Sequence, residues 1–208
     1  MSEPKKEVKK MNERTNRIVM TGIMTSLIMV STMLFRIHVP FTQGYVHLGD
    51  AAIYMAVLIV GKKYGTFAAG VGSALADIFS GYAYYAPWTF AVKALMAFVV
   101  GAALEYYEGK SHNEAKGSSG NEESNSDAYP WLASKGKLPV LELLAMLFGG
   151  IEMCVGYYIS ASLMHGNWYT PLFSIPGNIA QFIVGMILAT ALATALYKTP
   201  ARKYFAIK

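Results

Sequence analysis

Long apolar segments separated by short connections constrain this chain more than any other feature of its sequence. Four of them cover residues 17–35, 88–107, 138–164 and 175–197. A helix of about 20 apolar residues crosses a hydrocarbon core roughly 30 Å thick. The mean hydropathy is +0.33 and only 15% of the residues are charged, whereas soluble domains carry about a quarter. The sequence therefore predicts an integral membrane protein.

Two further apolar segments complete the predicted architecture, which is an all-α bundle of six transmembrane helices. They cover residues 50–61 and 64–80, and a corner of two lysines, Lys62 and Lys63, joins them. The first has 12 residues, too few to span alone unless the preceding loop fills part of the outer leaflet. The predicted membrane domain is 17–197, flanked by basic tails at 1–16 and 198–208. A polar, low-complexity stretch at about 108–137 is predicted to be a flexible linker.

The distribution of lysine and arginine predicts the orientation of the bundle. Both tails, the two-lysine corner and the linker fall on one side of the six-helix arrangement, whereas the opposite loops contain only Arg36. By the positive-inside rule, both termini are expected in the cytoplasm. Three aromatic loops, near Tyr45, Tyr84 and Trp168, are then expected to meet at the outer face.

A binding site is predicted between these loops and the outer halves of the helices. Aromatic faces would stack on a small flat heterocycle, and a few buried polar groups would select it. The candidate residues are Tyr45, His47, Asp77, Tyr84, Tyr85, Trp88, Lys93, Glu152, Trp168, Asn178 and Gln181.

Each of these features also has a structural explanation. Tyrosine and tryptophan commonly form a belt at membrane interfaces. Lys93 would form a structural ion pair with Asp77 or Glu152, and Asp50, directly after Gly49, would be a helix N-cap. Asn178 and Gln181 lie three positions apart, so they suit hydrogen bonds between helices as well as ligand contact.

Several function classes lack their sequence signatures. The chain contains no G-x-x-x-x-G-K-[ST] phosphate loop, no H-E-x-x-H and no G-x-S-x-G, so ATP hydrolysis and enzyme activity are not predicted. Cys154 is the single cysteine, which excludes a disulfide framework and a cysteine-based metal site. We predict no metal and no cofactor.

Small residues in the first segment form a candidate docking face. Thr21 and Thr25, and Gly22 and Ser26, are two pairs spaced four apart. Such spacing lets another helix approach closely. The partner would be either a helix of the same bundle or a separate membrane protein.

Four stretches resemble a known family. GYVHLGDA at 44–51, GKKYG at 61–65, GSALADIFSGYAYYAP at 72–87 and TFAVKALMAFVVG at 89–101 are similar to substrate-binding S components of energy-coupling factor vitamin transporters. The resemblance is to the riboflavin-type or hydroxymethylpyrimidine/pyridoxine-type branch, and over 138–197 it extends to topology only.

The resemblance implies a subunit in the bacterial plasma membrane that captures a vitamin from outside. It would dock on a transmembrane coupling subunit through small residues of its first helix, with two cytoplasmic ATPases as further partners. It would release its cargo by toppling in the membrane. Hydroxymethylpyrimidine or pyridoxine is the favoured substrate, because the predicted site is an aromatic cleft with few polar groups and no arginine cluster suited to a phosphate or polyanion. Riboflavin is the next alternative, followed by pantothenate, folate and thiamine. A membrane scaffold without transport activity is the alternative from another class.

Overall fold

The computed structural model of the chain describes residues 3–34, 36–38, 45–118 and 140–198. Within them, a ribbon of strands β1 (Arg36–His38) and β2 (Tyr45–His47) follows the first helix, and a 3-10 helix (Thr170–Ser174) precedes the last one. The α helices are α1 (Glu3–Leu34), α2 (Gly49–Phe79), α3 (Ala86–Ser118), α4 (Val140–His165) and α5 (Ile175–Lys198). The predicted all-α class is confirmed.

Within the described residues, four segments are long and apolar enough to cross a membrane. They are Arg14–Leu34, Ala86–Tyr107, Val140–His165 and Thr170–Leu196, and they correspond to the predicted first, fourth, fifth and sixth helices. Large apolar side chains such as Leu34, Phe148 and Ile187 remain exposed on their outer faces, where lipid would cover them. The chain is thus a multi-pass membrane protein.

Two helices extend further than the sequence analysis expected. Residues 3–16, assigned to the N-terminal tail, continue α1, and residues 108–118, assigned to the linker, continue α3. The rest of the predicted linker, 119–137, and the C-terminal residues 199–208 lie outside the described residues.

Helix α2 consists of two arms that fold back on each other at the two-lysine corner. Gly61 interrupts it with φ 81° and ψ 175°, a left-handed φ that favours glycine. A Cβ atom added to Gly65 would lie 2.8 Å from the Cα of Val57, so the second arm runs directly beside the first. Lys62 of the corner forms an ion pair with Glu105, which attaches the corner to α3.

The first arm of α2 forms the centre of the bundle. Every residue from 49 to 61 is buried, so protein surrounds this arm on all sides. The hydroxyl of Tyr54 donates a hydrogen bond to the carbonyl oxygen of Met146 in α4 at 3.1 Å. This burial explains why the arm is continuously apolar although it has only 12 residues (49–60).

The connection between α1 and α2 contains regular structure where the sequence analysis expected a loop. β1 and β2 pair in antiparallel register, with Ile37 opposite Val46. Pro40 and Gly44, two residues typical of loops, fall between the strands in the sequence and outside the described residues. Ile37 of β1 and Val46 of β2 are β-branched, and such residues favour strand pairing.

Candidate functional site

A buried ion pair joins α2 to α3. Nζ of Lys93 donates to Oδ1 of Asp50 at 2.5 Å, and both side chains are 0% exposed. The prediction that Lys93 pairs with Asp77 or Glu152 is therefore wrong. The predicted N-cap role of Asp50 is also wrong, because α2 begins at Gly49 and its N-cap is Leu48. Asp50 is the second residue of α2, and its carboxylate accepts from Lys93 instead of capping the backbone.

Gln181 of α5 connects this pair to the β ribbon. Its Nε2 donates to Oδ2 of Asp50 at 2.9 Å, and its Oε1 accepts from the backbone nitrogen of His47 at 3.0 Å. One turn later, a Cβ atom on Gly185 would lie 2.8 Å from the Cβ of Asp50. The absence of a side chain at Gly185 therefore permits the close approach of α5 to α2.

Two residues of α4 complete the surroundings of Lys93. The Sδ atom of Met153 accepts from Nζ of Lys93 at 2.7 Å and lies 3.6 Å from Nε2 of Gln181. Nζ also lies 5.4 Å from the ring centroid of Tyr157, within the range of a cation–π interaction. The ammonium group thus faces a carboxylate, a thioether and an aromatic ring.

His47, at the end of β2, is buried beside this cluster. Its Nδ1 accepts a hydrogen bond from the backbone nitrogen of Gly49 at 3.0 Å. Burial lowers the pKa of His47 to about 3, assisted by the positive charges of Lys93 and Arg36 and opposed by Asp50. His47 is therefore neutral at pH 7, with its ring proton on Nε2.

The aromatic connections lie together at one end of the bundle. The hydroxyl of Tyr85 and Nε2 of His165 are hydrogen-bonded at 3.0 Å, which joins the α2–α3 connection to the end of α4. Trp168 lies beside Tyr158 of α4, with ring centroids 6.0 Å apart. Tyr84 and Trp168 are 70% and 53% exposed, so their rings face outward rather than toward the buried cluster. Burial raises the pKa of the Tyr85 hydroxyl, as do the neighbouring Tyr84, Tyr82 and Asp77.

The remaining predicted site residues differ in how deeply their side chains are buried. Asp77 is buried near the end of α2, and Asn178 is buried in the first part of α5. Glu152 is half-buried, and its buried Oε2 has no hydrogen-bond partner among the residues that the structure describes. Trp88, in the first turn of α3, is 37% exposed, whereas the side chain of Tyr45 lies outside the described residues.

Thus the structure brings His47, Lys93 and Gln181 into one cluster, but Asp50, Met153 and Tyr157 belong there as well. Asp50 had a sequence signal, since a carboxylate beside apolar sequence is costly. Met153 and Tyr157 had none, because methionine and tyrosine at helical spacing are equally typical of an ordinary core.

The predicted docking residues of α1 divide between two faces. Gly22 and Ser26 are exposed, and a Cβ atom on Gly22 would meet nothing within 4 Å. Thr21 is buried and Thr25 is half-buried toward α2, where a Cβ atom on Gly72 would lie 2.7 Å from the Thr25 carbonyl oxygen. Only Gly22 and Ser26 are therefore open to a separate partner.

The chemistry of the buried cluster suits recognition. Its donors and acceptors lie on five elements, β2, α2, α3, α4 and α5. Helix α4 supplies the thioether acceptor of Met153 and also the ring of Tyr157. Among the described residues, no three histidine, cysteine, aspartate or glutamate side chains lie close enough to share a metal ion. A few buried polar groups in apolar surroundings are the arrangement by which binding sites orient and select a small ligand.

Residues 12–120 and 131–198 match the sequence profile of a family described as "ECF-type riboflavin transporter, S component". The chain belongs to this family. An S component is a membrane-integral, substrate-binding subunit of a transporter that also contains ATPase components, and it is not an enzyme.

Two curated relatives align with most of this S component. An "Uncharacterized protein in gap 3'region" of Pyrococcus woesei is 30% identical over 169 residues, which are 81% of this chain and 93% of the relative. The "Thiamine precursor transporter HmpT" of Lactococcus lactis subsp. cremoris (strain MG1363) is 25% identical over 189 residues, 90% of this chain and 92% of the relative.

Proposed function

We propose that this S component captures a small vitamin precursor from outside the cell, with hydroxymethylpyrimidine or pyridoxine as the favoured substrate. The observation that carries the proposal is the fully buried pair of Asp50 and Lys93, both of which are also held by groups of other helices. Ionisable groups are costly within a membrane bundle and typically mark a substrate pathway. The name of the lactococcal relative, a thiamine precursor transporter, supports a pyrimidine substrate.

The partly buried groups around the pair would supply the remaining contacts. The Oε2 atom of Glu152, without a hydrogen-bond partner among the described residues, would accept from a ligand amino or hydroxyl group. Tyr85, Tyr157 and Asn178 would line the approach from the aromatic end. Tyr84 and Trp168, with their outward-facing rings, would close over the bound ligand or rest at the membrane interface.

We further propose that the protein has six membrane spans, with the two arms of α2 counted separately, and both termini in the cytoplasm. The lysines of the corner and the terminal regions support this orientation. The exposed Gly22–Ser26 face of α1 would dock on a coupling subunit that two ATPases drive, and the loaded subunit would topple to release its cargo.

Riboflavin is the second candidate, since the matching family is described by that vitamin. A thermal-shift screen of the detergent-purified chain would separate the two substrates. A ligand that binds only the folded state raises stability by about 2.7 kcal/mol at a hundredfold excess over Kd. A shift with hydroxymethylpyrimidine or pyridoxine would support the proposal, and a shift with riboflavin alone would favour the second candidate. No shift with any vitamin, from folded protein, would favour a scaffold.

A further inference from the structure

We propose that the thioether of Met153 holds the position of a ligand atom, and that Lys93 selects an uncharged heterocycle through an acceptor nitrogen in its ring. On binding, the ring nitrogen replaces Sδ of Met153 as the second acceptor of Lys93. This inference rests on the proposed function and assigns a specificity-determining role to Met153.

The contacts of Lys93 differ greatly in strength. One N–H of the ammonium group is directed to Oδ1 of Asp50 at 2.5 Å and another to Sδ of Met153 at 2.7 Å. A carboxylate is a strong, charge-assisted acceptor, whereas a thioether sulfur is a weak one. An incoming nitrogen acceptor therefore displaces Met153 and leaves the bond to Asp50 in place.

The side chain of Met153 is suited to being displaced. It is 0% exposed, so water does not compete for Lys93 at this position. Methionine is unbranched and has three rotatable bonds, so it adapts its shape more readily than other core residues. A glutamine or asparagine at this position would satisfy Lys93 more strongly and would compete better with a ligand.

Charge balance selects a neutral ligand. Asp50 and Lys93 carry opposite charges, and both side chains are fully buried. Met153 and Gln181 are uncharged, so a neutral ring that replaces the thioether preserves the balance. A phosphate ester would bring unpaired negative charge close to the Asp50 carboxylate, at a large desolvation cost.

Calorimetric titration of the detergent-purified chain with hydroxymethylpyrimidine and its two ring analogues, each with one nitrogen replaced by C–H, tests this role. In the wild type, we expect one analogue to bind about tenfold more weakly, as is typical for loss of a hydrogen bond to a charged group. Met153→Leu leaves an N–H of Lys93 without its acceptor before the ligand binds. The variant should bind hydroxymethylpyrimidine several-fold more tightly and leave the affinity for the weak analogue unchanged.

Met146→Leu is the matched control, because Met146 is also fully buried in α4 but belongs to a different part of the core. Met146→Leu should lower the melting temperature without changing the affinity for hydroxymethylpyrimidine or for the weak analogue. An equal change in both affinities on Met153→Leu would overturn the inference and leave Met153 as a packing residue. If that variant does not fold, equal binding of all three ligands by the wild type would overturn it.

The same experiments separate this inference from the proposed function. Should the wild type bind riboflavin instead, its 1-deaza and 5-deaza analogues replace the pyrimidine pair, with the same expected outcomes. Binding of a phosphorylated vitamin more tightly than its unphosphorylated form would contradict the inference while the S-component function stands. A wild type that binds no vitamin overturns both.

Discussion

Asp50 and Lys93 are 43 positions apart in the sequence, yet Oδ1 of one and Nζ of the other lie 2.5 Å apart where no solvent reaches them. Their mutual attraction offsets the cost of removing both charges from water. Buried pairs of this kind are often no more stabilising than apolar residues of the same size. Their presence in the centre of an apolar bundle therefore favours a role in binding.

Removal of one partner of this pair should destabilise the protein far more than removal of both. Lys93→Met leaves the Asp50 charge buried alone, at a cost of about 3–5 kcal/mol, whereas Asp50→Asn with Lys93→Met should recover most of the loss. Melting temperatures of the single and double variants in detergent measure the loss and its recovery. Lys62→Met is the control, since the pair of Lys62 and Glu105 is partly exposed and contributes less than about 1 kcal/mol. Similar losses for the single and double variants would contradict the account.

Stability should fall as the pH decreases below 6.5, because His47 is neutral and buried in the folded state. Its pKa is lowered from 6.5 to about 3, so between these values the unfolded chain binds more protons than the folded one. Between pH 7.5 and pH 5 the expected loss is about 2 kcal/mol. His47→Asn keeps an acceptor for the Gly49 nitrogen and should flatten the dependence, as measured by thermal unfolding. An unchanged slope in that variant would assign the pH effect to other groups.

Gly61→Ala should destabilise the two-lysine corner, because φ is 81° there. A non-glycine residue in such a conformation costs on the order of 1–3 kcal/mol. Gly22→Ala is the matched control, since Gly22 is helical and a Cβ atom there meets no neighbour. That change should be neutral or slightly stabilising. Equal melting temperatures for both variants would show that the corner adjusts without strain.

Leucine at both Gly22 and Ser26 should weaken association with the coupling subunit and spare ligand binding. Both positions are exposed on α1, so larger side chains there block close helix approach without disturbing the bundle. Co-purification with the coupling module measures association. Leu27→Phe enlarges another exposed position of α1 and should leave association intact. Unchanged co-purification of the double variant would move the docking face elsewhere.

The apolar parts of the helices were predictable from sequence because these segments are long and their breaks carry chemical signals, whereas the polar extensions of α1 and α3 were not. The corner is an example, since Gly61 and the two lysines interrupt an otherwise apolar region. The ribbon was not predictable, because pairing of three-residue strands depends on where the ends of α1 and α2 meet.

The site was only partly predictable. Lys93 and Gln181 were found because polar groups in apolar helices are conspicuous, and Asp50 was noticed but assigned to capping. Which carboxylate pairs with Lys93 depends on how α2 packs against α3, and the contact of Gln181 with Asp50 depends on the close approach of α5 that Gly185 permits. Met153 carries no polar signal, so its contact with Lys93 appears only in three dimensions.

The most direct test is calorimetric titration of hydroxymethylpyrimidine, pyridoxine and riboflavin into the wild type and into the Asp50→Asn, Lys93→Met double variant. The double variant should remain folded, because no buried charge is left without a partner. The account predicts saturable binding of a vitamin or precursor by the wild type and none by the variant. Equal binding by the two proteins would show that the ligand site lies away from Asp50 and Lys93.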